Sequence, residues 1–317
     1  MSDDEDAYEP RVPWALRELL AEGAAPLEPR PQRGSDLDIV IVLEPGCESA
    51  GDAGLPDELI DALEYAGAEV TLLDWDSAPD AADADLLLAG GWATAAEVLR
   101  VEGVRARGVL PGPEPLQLAD LHELPSDFAV LAPGWLGGEL PAGADEAYRA
   151  LPSHRTEGQV QVHGQDPLSL LAVCELAERR PSVEIVVSGM PFPASLPFEA
   201  SAVEGGARHV AQSFALATVG VPPRLRGWRP VATAMMACGL PVAMPASEQA
   251  EEFFGAAASL FSTPAEGADL IEALLDSLEL RAEHSRAGSA AVGNWHAVAR
   301  EIVARFSDQT DAGADAR

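Results

Sequence analysis

The sequence contains no lysine, and its one asparagine is Asn294. All 20 basic residues are therefore arginine, against 52 carboxylates, which leaves a formal charge of −32. That balance excludes a nucleic-acid binder of the usual kind, because phosphate neutralisation needs Lys and Arg in excess on one face. Two origins produce such a composition. A GC-rich genome favours Ala, Gly, Pro and Arg codons, and a high-salt cytoplasm favours a densely carboxylated surface that stays soluble after salt has screened ordinary repulsion. Only three cysteines, Cys47, Cys174 and Cys238, are spread over the 317 residues. They are too few and too scattered for a disulfide framework or a metal cluster, so no metal site is expected. No apolar run reaches the roughly 18 residues that a bilayer span needs. The acidic start, Met1 to Asp6, is the opposite of the basic segment that opens a signal peptide. A soluble, cytoplasmic protein is the expectation.

What the chain does have is apolar surface. With 47% hydrophobic residues, a chain of this length buries roughly three quarters of its unfolded surface, enough for two domains. Residues 1–35 read as an extension, ending in Pro26, Pro29, Pro31 and Gly34. Leu37 to Leu43 is a β-branched apolar run, the pattern of a strand buried on both faces. After the turn-rich loop Glu44 to Gly54, Leu59, Ile60, Leu63 and Ala66 recur at helical spacing, and Gly67 supplies the stop. Strands are expected at Val70 to Leu73, Asp85 to Ala89, Val109 to Leu110 and Phe128 to Leu131, with a helix over Thr94 to Val101. A Gly- and Pro-rich stretch, Pro133 to Gly143, closes this half.

The pattern then restarts. Val160 to His163, Val183 to Ser188 and Leu240 to Met244 read as strands. Pro167 to Glu178, Ala202 to Ala215, Pro230 to Cys238, Glu248 to Phe254 and Ala268 to His284 read as helices, and Trp295 to Phe306 as the terminal one. Strands alternating with helices imply βαβ units and parallel sheets. The expected fold class is α/β. Two Rossmann-like, doubly wound domains, 36–155 and 156–306, would face a central cleft where such sheets bind ligands, followed by a loose tail, 307–317.

The run Val219 to Pro245 resembles the donor-binding segment of GT-B glycosyltransferases of family 4, the group that includes sucrose and sucrose-phosphate synthases. In that family a Glu-Gly-Phe-Gly loop leads into a helix ending Glu-Ala-Met-Ala-Cys-Gly, then a Pro-Val strand. Here Gly227-Trp228 sits at the loop, Met236-Ala237-Cys238-Gly239 closes the helix and Pro241-Val242 opens the strand. Glu184 to Gly189 is similar to the strand that precedes the donor site, and Gly255 to His296 to the family's tail. Gly51 to Gly54 and Ala66 to Leu72 resemble the Gly-rich loop and second strand of acceptor domains. The resemblance spans residues 37–306 and implies a GT-B-like fold. It also implies a nucleotide-diphosphate sugar as donor substrate, no further cofactor, and a glycan or lipid-linked acceptor.

The departures from the family concern its charged groups. Its members place two Glu residues eight positions apart, where this chain has Arg226 and Ala234. They hold the diphosphate with an Arg and a Lys after a Gly, where this chain reads His163-Gly164-Gln165-Asp166-Pro167. Support of the leaving diphosphate is the main demand of a metal-independent glycosyl transfer. Arg224, Arg226 and Arg229, flanking Gly227 just before a helix, are candidates to replace those cations. The alternative is a surface loop paired with carboxylates.

His163, beside Gly164, is a candidate phosphate donor or proton carrier, with a structural role at a strand end as the alternative, and Arg208 is a candidate helper cation. For the acceptor side the candidates are Gly51, Asp52 and Gly54, with Glu248 after the Pro-Val strand as a further sugar contact or simply a helix-capping acid. Trp92 and Trp135, in Gly-rich loops, suit either sugar stacking or loop anchoring. Cys238, Met235 and Met236 are expected in the core. Two functions follow: a glycosyltransferase, or a catalytically degenerate GT-B protein that binds a sugar, a nucleotide or a partner enzyme without turnover.

Overall fold

The structure is a computed structural model that describes residues 37–111, 128–136, 138–149, 155–164, 166–189, 196, 198–203, 207–228 and 230–314. The 1–35 extension lies outside the described residues.

In the first half, β1 (Asp38–Val42), β2 (Glu69–Leu73), β3 (Leu86–Ala89), β4 (Ala106–Val109) and β5 (Phe128–Val130) form one parallel sheet in the order β2-β1-β3-β4-β5. The alternation of β-strand side chains divides its core cleanly. Ile39, Ile41, Leu86 and Leu88 face one apolar cluster, whereas Val40, Val42, Leu87 and Ala89 face another. Helix α1 (Asp57–Tyr65) buries Leu59, Ala62 and Leu63 against the first cluster and stops before Gly67, whose φ of 97° continues no helix. Helix α2 (Trp92–Arg100) covers the other face. A short strand, β6 (Ala142–Ala144), ends the Gly- and Pro-rich stretch and a single turn, α3 (Glu146–Arg149), follows it.

The second half builds a parallel sheet from β7 (Gln159–His163), β8 (Glu184–Ser188), β9 (Ser201–Ala202), β10 (Val219–Val221), β11 (Val242–Pro245) and β12 (Ala258–Phe261). Its order is β12-β11-β10-β7-β8-β9. Two successive runs of three strands thus grow outward from β7 and β10 in opposite directions, the arrangement of a mononucleotide-binding pair. Its helices are α4 (Pro167–Arg179), α5 (Ala207–Leu216), α6 (Val231–Ala237), α7 (Glu248–Phe254), α8 (Pro264–Asp276), α9 (Leu278–Ala291) and α10 (Trp295–Ala314). Ahead of α10, β13 (Val292–Asn294) pairs with β6.

Three expectations need correction. The stretch read as one helix, Ala268 to His284, is two, because Ser277 adopts an extended conformation and its hydroxyl accepts from the Leu280 amide as the cap of α9. Ser201 and Ala202 pair with β8 as an edge strand, so the helix expected from Ala202 begins at Ala207. The final helix continues past Ser307, where the sequence reads as a loose tail, to Ala314.

The two halves are joined by packing as well as by chain. One apolar cluster runs from Ile39 and Leu59 through Leu131 and Trp135 to Trp228, Phe254 and Val298. Helix α10 returns to pack on α1, where Tyr65 meets His296 edge to face at 4.9 Å between centroids.

Candidate functional site

Open α/β sheets bind ligands beyond the carboxyl ends of the strands, at the point where the strand order reverses. In the second sheet that point lies between β7 and β10. Strand β7 ends in His163 and is followed by Gly164 at φ 77°, while β10 leads into the loop Pro222 to Pro230 and then α6. A cavity of about 150 Å³ opens there, between His163, Thr233 and Ala234 of the second half and Asp145 and Tyr148 of the connecting segment, with Phe214 closing one wall.

Its polar groups are held from behind. Thr233 Oγ1 donates to the Pro230 carbonyl at 2.7 Å, and Asp145 Oδ1 accepts from the Trp295 indole at 2.7 Å. Tyr148 stacks on Phe214 with centroids 6.1 Å apart. Burial, then the nearby Asp145 carboxylate, pushes the Tyr148 phenol upward, so it stays a proton donor throughout the neutral range. His163 Nδ1 lies 2.8 Å from Ser188 Oγ, and burial pushes its imidazole below the usual His value.

That depression makes a prediction about stability. Below the unfolded value of 6.5 the unfolded chain takes up the proton that folded His163 refuses. Stability therefore falls as pH drops below about 6.5 and is restored above it. His284 on α9, also depressed mainly by burial, adds to the same trend. A series of unfolding midpoints from pH 8 to pH 5 should fall less steeply for His163→Gln than for the native chain.

Of the residues singled out in sequence, His163 and Ala234 line this cavity, and Arg224, Arg226, Gly227, Gly51, Asp52, Gly54 and Glu248 do not. Arg224 is half exposed and sits 3.8 Å from Asp166 Oδ2, whose other oxygen caps α4 through the amides of Leu168 and Ser169. Arg226 is exposed. Arg229 lies outside the described residues, as does the side chain of Arg208. Gly227 has a φ of 61°, and its carbonyl accepts from the Trp135 indole at 2.9 Å. Helix α6 has only seven residues, so the anion-attracting dipole expected at its start is weak.

On the acceptor side, Asp52 spends its carboxylate on its own loop, accepting from the Glu48 and Ser49 amides and from the Ser49 hydroxyl. Gly51 and Gly54 close the same turn through Gly54 N to Gly51 O at 3.0 Å. Glu248 is an exposed first residue of α7, next to the capping Ser247. Trp135 is buried as an anchor and Trp92 opens α2. Cys238 is buried, its thiol pushed up to about 12 by desolvation, and Met235 and Met236 are buried beside it.

Sequence reasoning missed Asp145, Tyr148 and Phe214, which reach the cavity only through tertiary packing. It also missed Gln161 and Ser188 behind His163. The polar alternation Gln159, Gln161, His163 within a buried strand was a local signal for them.

The chain has the GT-B fold: two Rossmann-like domains with parallel sheets. It is similar to AviGT4, a glycosyltransferase involved in avilamycin A biosynthesis, with a TM-score of 0.58 and 16% identity over 87% of this chain and 98% of that one. Similarity to a sucrose-phosphate synthase from Thermosynechococcus elongatus has a TM-score of 0.59 and 13% identity over 87% and 100% of the two chains. HepE from Anabaena, whose structure contains UDP and glucose, matches with a TM-score of 0.56 and 14% identity over 87% and 99%. At such identities the likeness establishes the fold. No protein-family model matches the sequence, and no curated protein does. Among the described residues no helix is long and apolar enough to cross a membrane, and no group of His, Cys, Asp and Glu is arranged to hold a metal ion.

Proposed function

We propose that the protein is a nucleotide-sugar-dependent glycosyltransferase that takes its donor at the β7–β10 switch point and a glycan or lipid-linked acceptor from the first domain. The observation that carries this reading is the coincidence of two features. The cavity lined by His163 is also lined by Pro230, Val231, Thr233 and Ala234, which belong to the segment Val219 to Pro245 whose sequence resembles the donor-binding stretch of GT-B enzymes. The likeness to HepE, whose structure holds UDP and glucose, points to the same ligand class. The exposed Arg224 and Arg226 flank this loop and serve as the cations that draw in the diphosphate.

A second reading, binding without turnover, is favoured by Ala234. A methyl group lines the cavity where the resemblance calls for a ribose-binding acid, and Arg224 is turned to Asp166. Both readings require a nucleotide. UDP, GDP and ADP, each near millimolar, are therefore expected to differ in thermal unfolding assays, one of them raising the midpoint. At a hundredfold excess over Kd, binding adds about 2.7 kcal/mol of stability. Failure of all three, at low and at molar salt, rejects the donor site. Once the nucleotide is known, release of sugar from its diphosphate ester, or transfer to a glycan, separates the enzyme from the binding protein.

A further inference from the structure

The central strand of the second sheet carries a polar line that a buried strand has no structural need for. On β7, Gln159, Gln161 and His163 alternate with Val160 and Val162, so the three polar side chains share one face. Gln161 is fully buried, and Ser188, at the end of neighbouring β8, is 1% exposed. The two are joined to His163 in a chain. Gln161 Nε2 donates to Ser188 Oγ at 2.8 Å, and the same oxygen lies 2.8 Å from His163 Nδ1.

The direction of this chain is fixed at its far end. Gln161 Nε2 also donates to the Val162 carbonyl at 3.2 Å. Turning the amide over would set its oxygen against that carbonyl oxygen, two acceptors in contact. Ser188 Oγ therefore accepts from Gln161, and its single proton goes to His163 Nδ1. The imidazole is left with its hydrogen on Nε2. Gly189, at φ 69°, keeps that edge of the ring uncovered, since a Cβ at this position would stand 2.2 Å from Nε2. Phe214 meets the ring edge to face at 5.7 Å and fixes its plane. Among the described residues the hydrogen bond of the ring is the one at Nδ1, and His163 lines the cavity.

We propose that Gln161 and Ser188 are positioning residues that hold His163 as the Nε2–H tautomer, so that a neutral imidazole donates a hydrogen bond to a phosphate oxygen of the bound nucleotide. This assignment rests on the nucleotide reading above. A neutral donor suits a partly buried site, because it contributes a hydrogen bond to an anion without the desolvation cost of a buried cation. It gives the lysine-free chain a phosphate contact from the cavity lining itself, in addition to the cations of the exposed loop.

The test reads the tautomer and the affinity separately. Long-range 15N–1H correlations of the labelled full chain should show a single His163 tautomer protonated on Nε2. In Ser188→Ala the two tautomers should mix, and the affinity for whichever of UDP, GDP and ADP binds should fall about tenfold. Gln161→Met, which removes the other link, should mix the tautomers too and serves if Ser188→Ala does not fold. An Nδ1–H tautomer in the native protein overturns the proposal. So does a Ser188→Ala protein with native tautomer and native affinity. If none of the three nucleotides binds while the Nε2–H tautomer is seen, the nucleotide reading and the phosphate assignment fall, and the positioning of His163 by Ser188 is upheld.

Discussion

Replacing Arg155 with Met should lower the unfolding free energy by about 3 kcal/mol, the largest loss expected from one residue outside the apolar core. Arg155 lies between the halves in sequence and contacts no ligand cavity of the switch point. Its guanidinium joins the ends of two helices. Nη1 donates to the Phe214 and Ala217 carbonyls and Nη2 to the Cys238 carbonyl, each at 2.9 Å. Those carbonyls end α5 and α6, where helix dipoles concentrate negative charge and where the last carbonyls have no partner of their own. Among the described residues no carboxylate lies within ion-pair distance of it, so the helix ends take the place of a counter-ion. Methionine fills the volume and supplies no donor, which strands three carbonyls. Lysine keeps the charge without the planar fork and should recover about half of the loss. Denaturant midpoints report the difference, provided the slope of the transition is unchanged. A loss under about 1 kcal/mol would show that water replaces the guanidinium at both helix ends. Because α5 carries Phe214 and α6 carries Thr233 and Ala234, the same substitution should loosen the cavity wall.

The sequence made some of this architecture legible and hid the rest for identifiable reasons. Leu37 to Leu43 and Val183 to Ser188 announce β1 and β8 because a strand buried on both faces has to be apolar throughout, and few other local structures demand that. Strand β10 does not announce itself. It is three residues long, Val219-Gly220-Val221, and its central glycine reads as a breaker. The packing explains the glycine: a Cβ there would meet the Met235 sulfur at 2.7 Å and Leu240 at 2.8 Å. Strands β6 and β13 are hidden for another reason, since each exists only as the partner of the other, with Val292 150 positions after Ala142. The order of the strands in each sheet is likewise a matter of long-range pairing, which no local pattern encodes.

The candidate site divides along the same line. His163 is visible because a titratable residue at the end of an apolar strand stands out, and the resemblance places a ligand nearby. Asp145 and Tyr148 come from just beyond the Gly- and Pro-rich stretch, where the sequence shows no regular period, and they approach His163 only when the connecting segment folds over α5 and α6. The arginine cluster is legible in the sequence as charge, while the direction of each side chain is not. Arg224 and Arg226 are close in sequence, yet an exposed loop directs long side chains into solvent or toward a convenient carboxylate such as Asp166. Gly227 and Trp228, which lie between candidate arginines, are buried in the contact between halves instead.

That contact gives the second large effect. Trp228→Ala should cost about 3–5 kcal/mol and free the two domains from each other. Trp228 is 1% exposed, and its indole Nε1 donates across the cleft to the Pro111 carbonyl at 2.7 Å. Trp135 answers from the first half, donating to the Gly227 carbonyl at 2.9 Å, so adjacent residues of one loop are each held by the opposite domain. Around them Trp135 packs against Phe253 edge to face at 6.0 Å and against Phe254 at 5.7 Å. The fit is close enough that Gly134 admits no Cβ, which would stand 1.9 Å from the Phe253 ring. Trp228→Phe keeps most of the apolar area and strands the Pro111 carbonyl, so it should cost about 1–3 kcal/mol, less than the alanine variant. Small-angle scattering distinguishes loss of the contact from loss of the fold: Trp228→Ala should enlarge the radius of gyration while far-ultraviolet circular dichroism stays native. An unchanged radius would mean that α10 packed on α1 holds the halves together without the indoles. Since Pro230, Thr233 and Ala234 follow Trp228 directly, opening this contact should weaken nucleotide binding even though neither tryptophan lines the cavity.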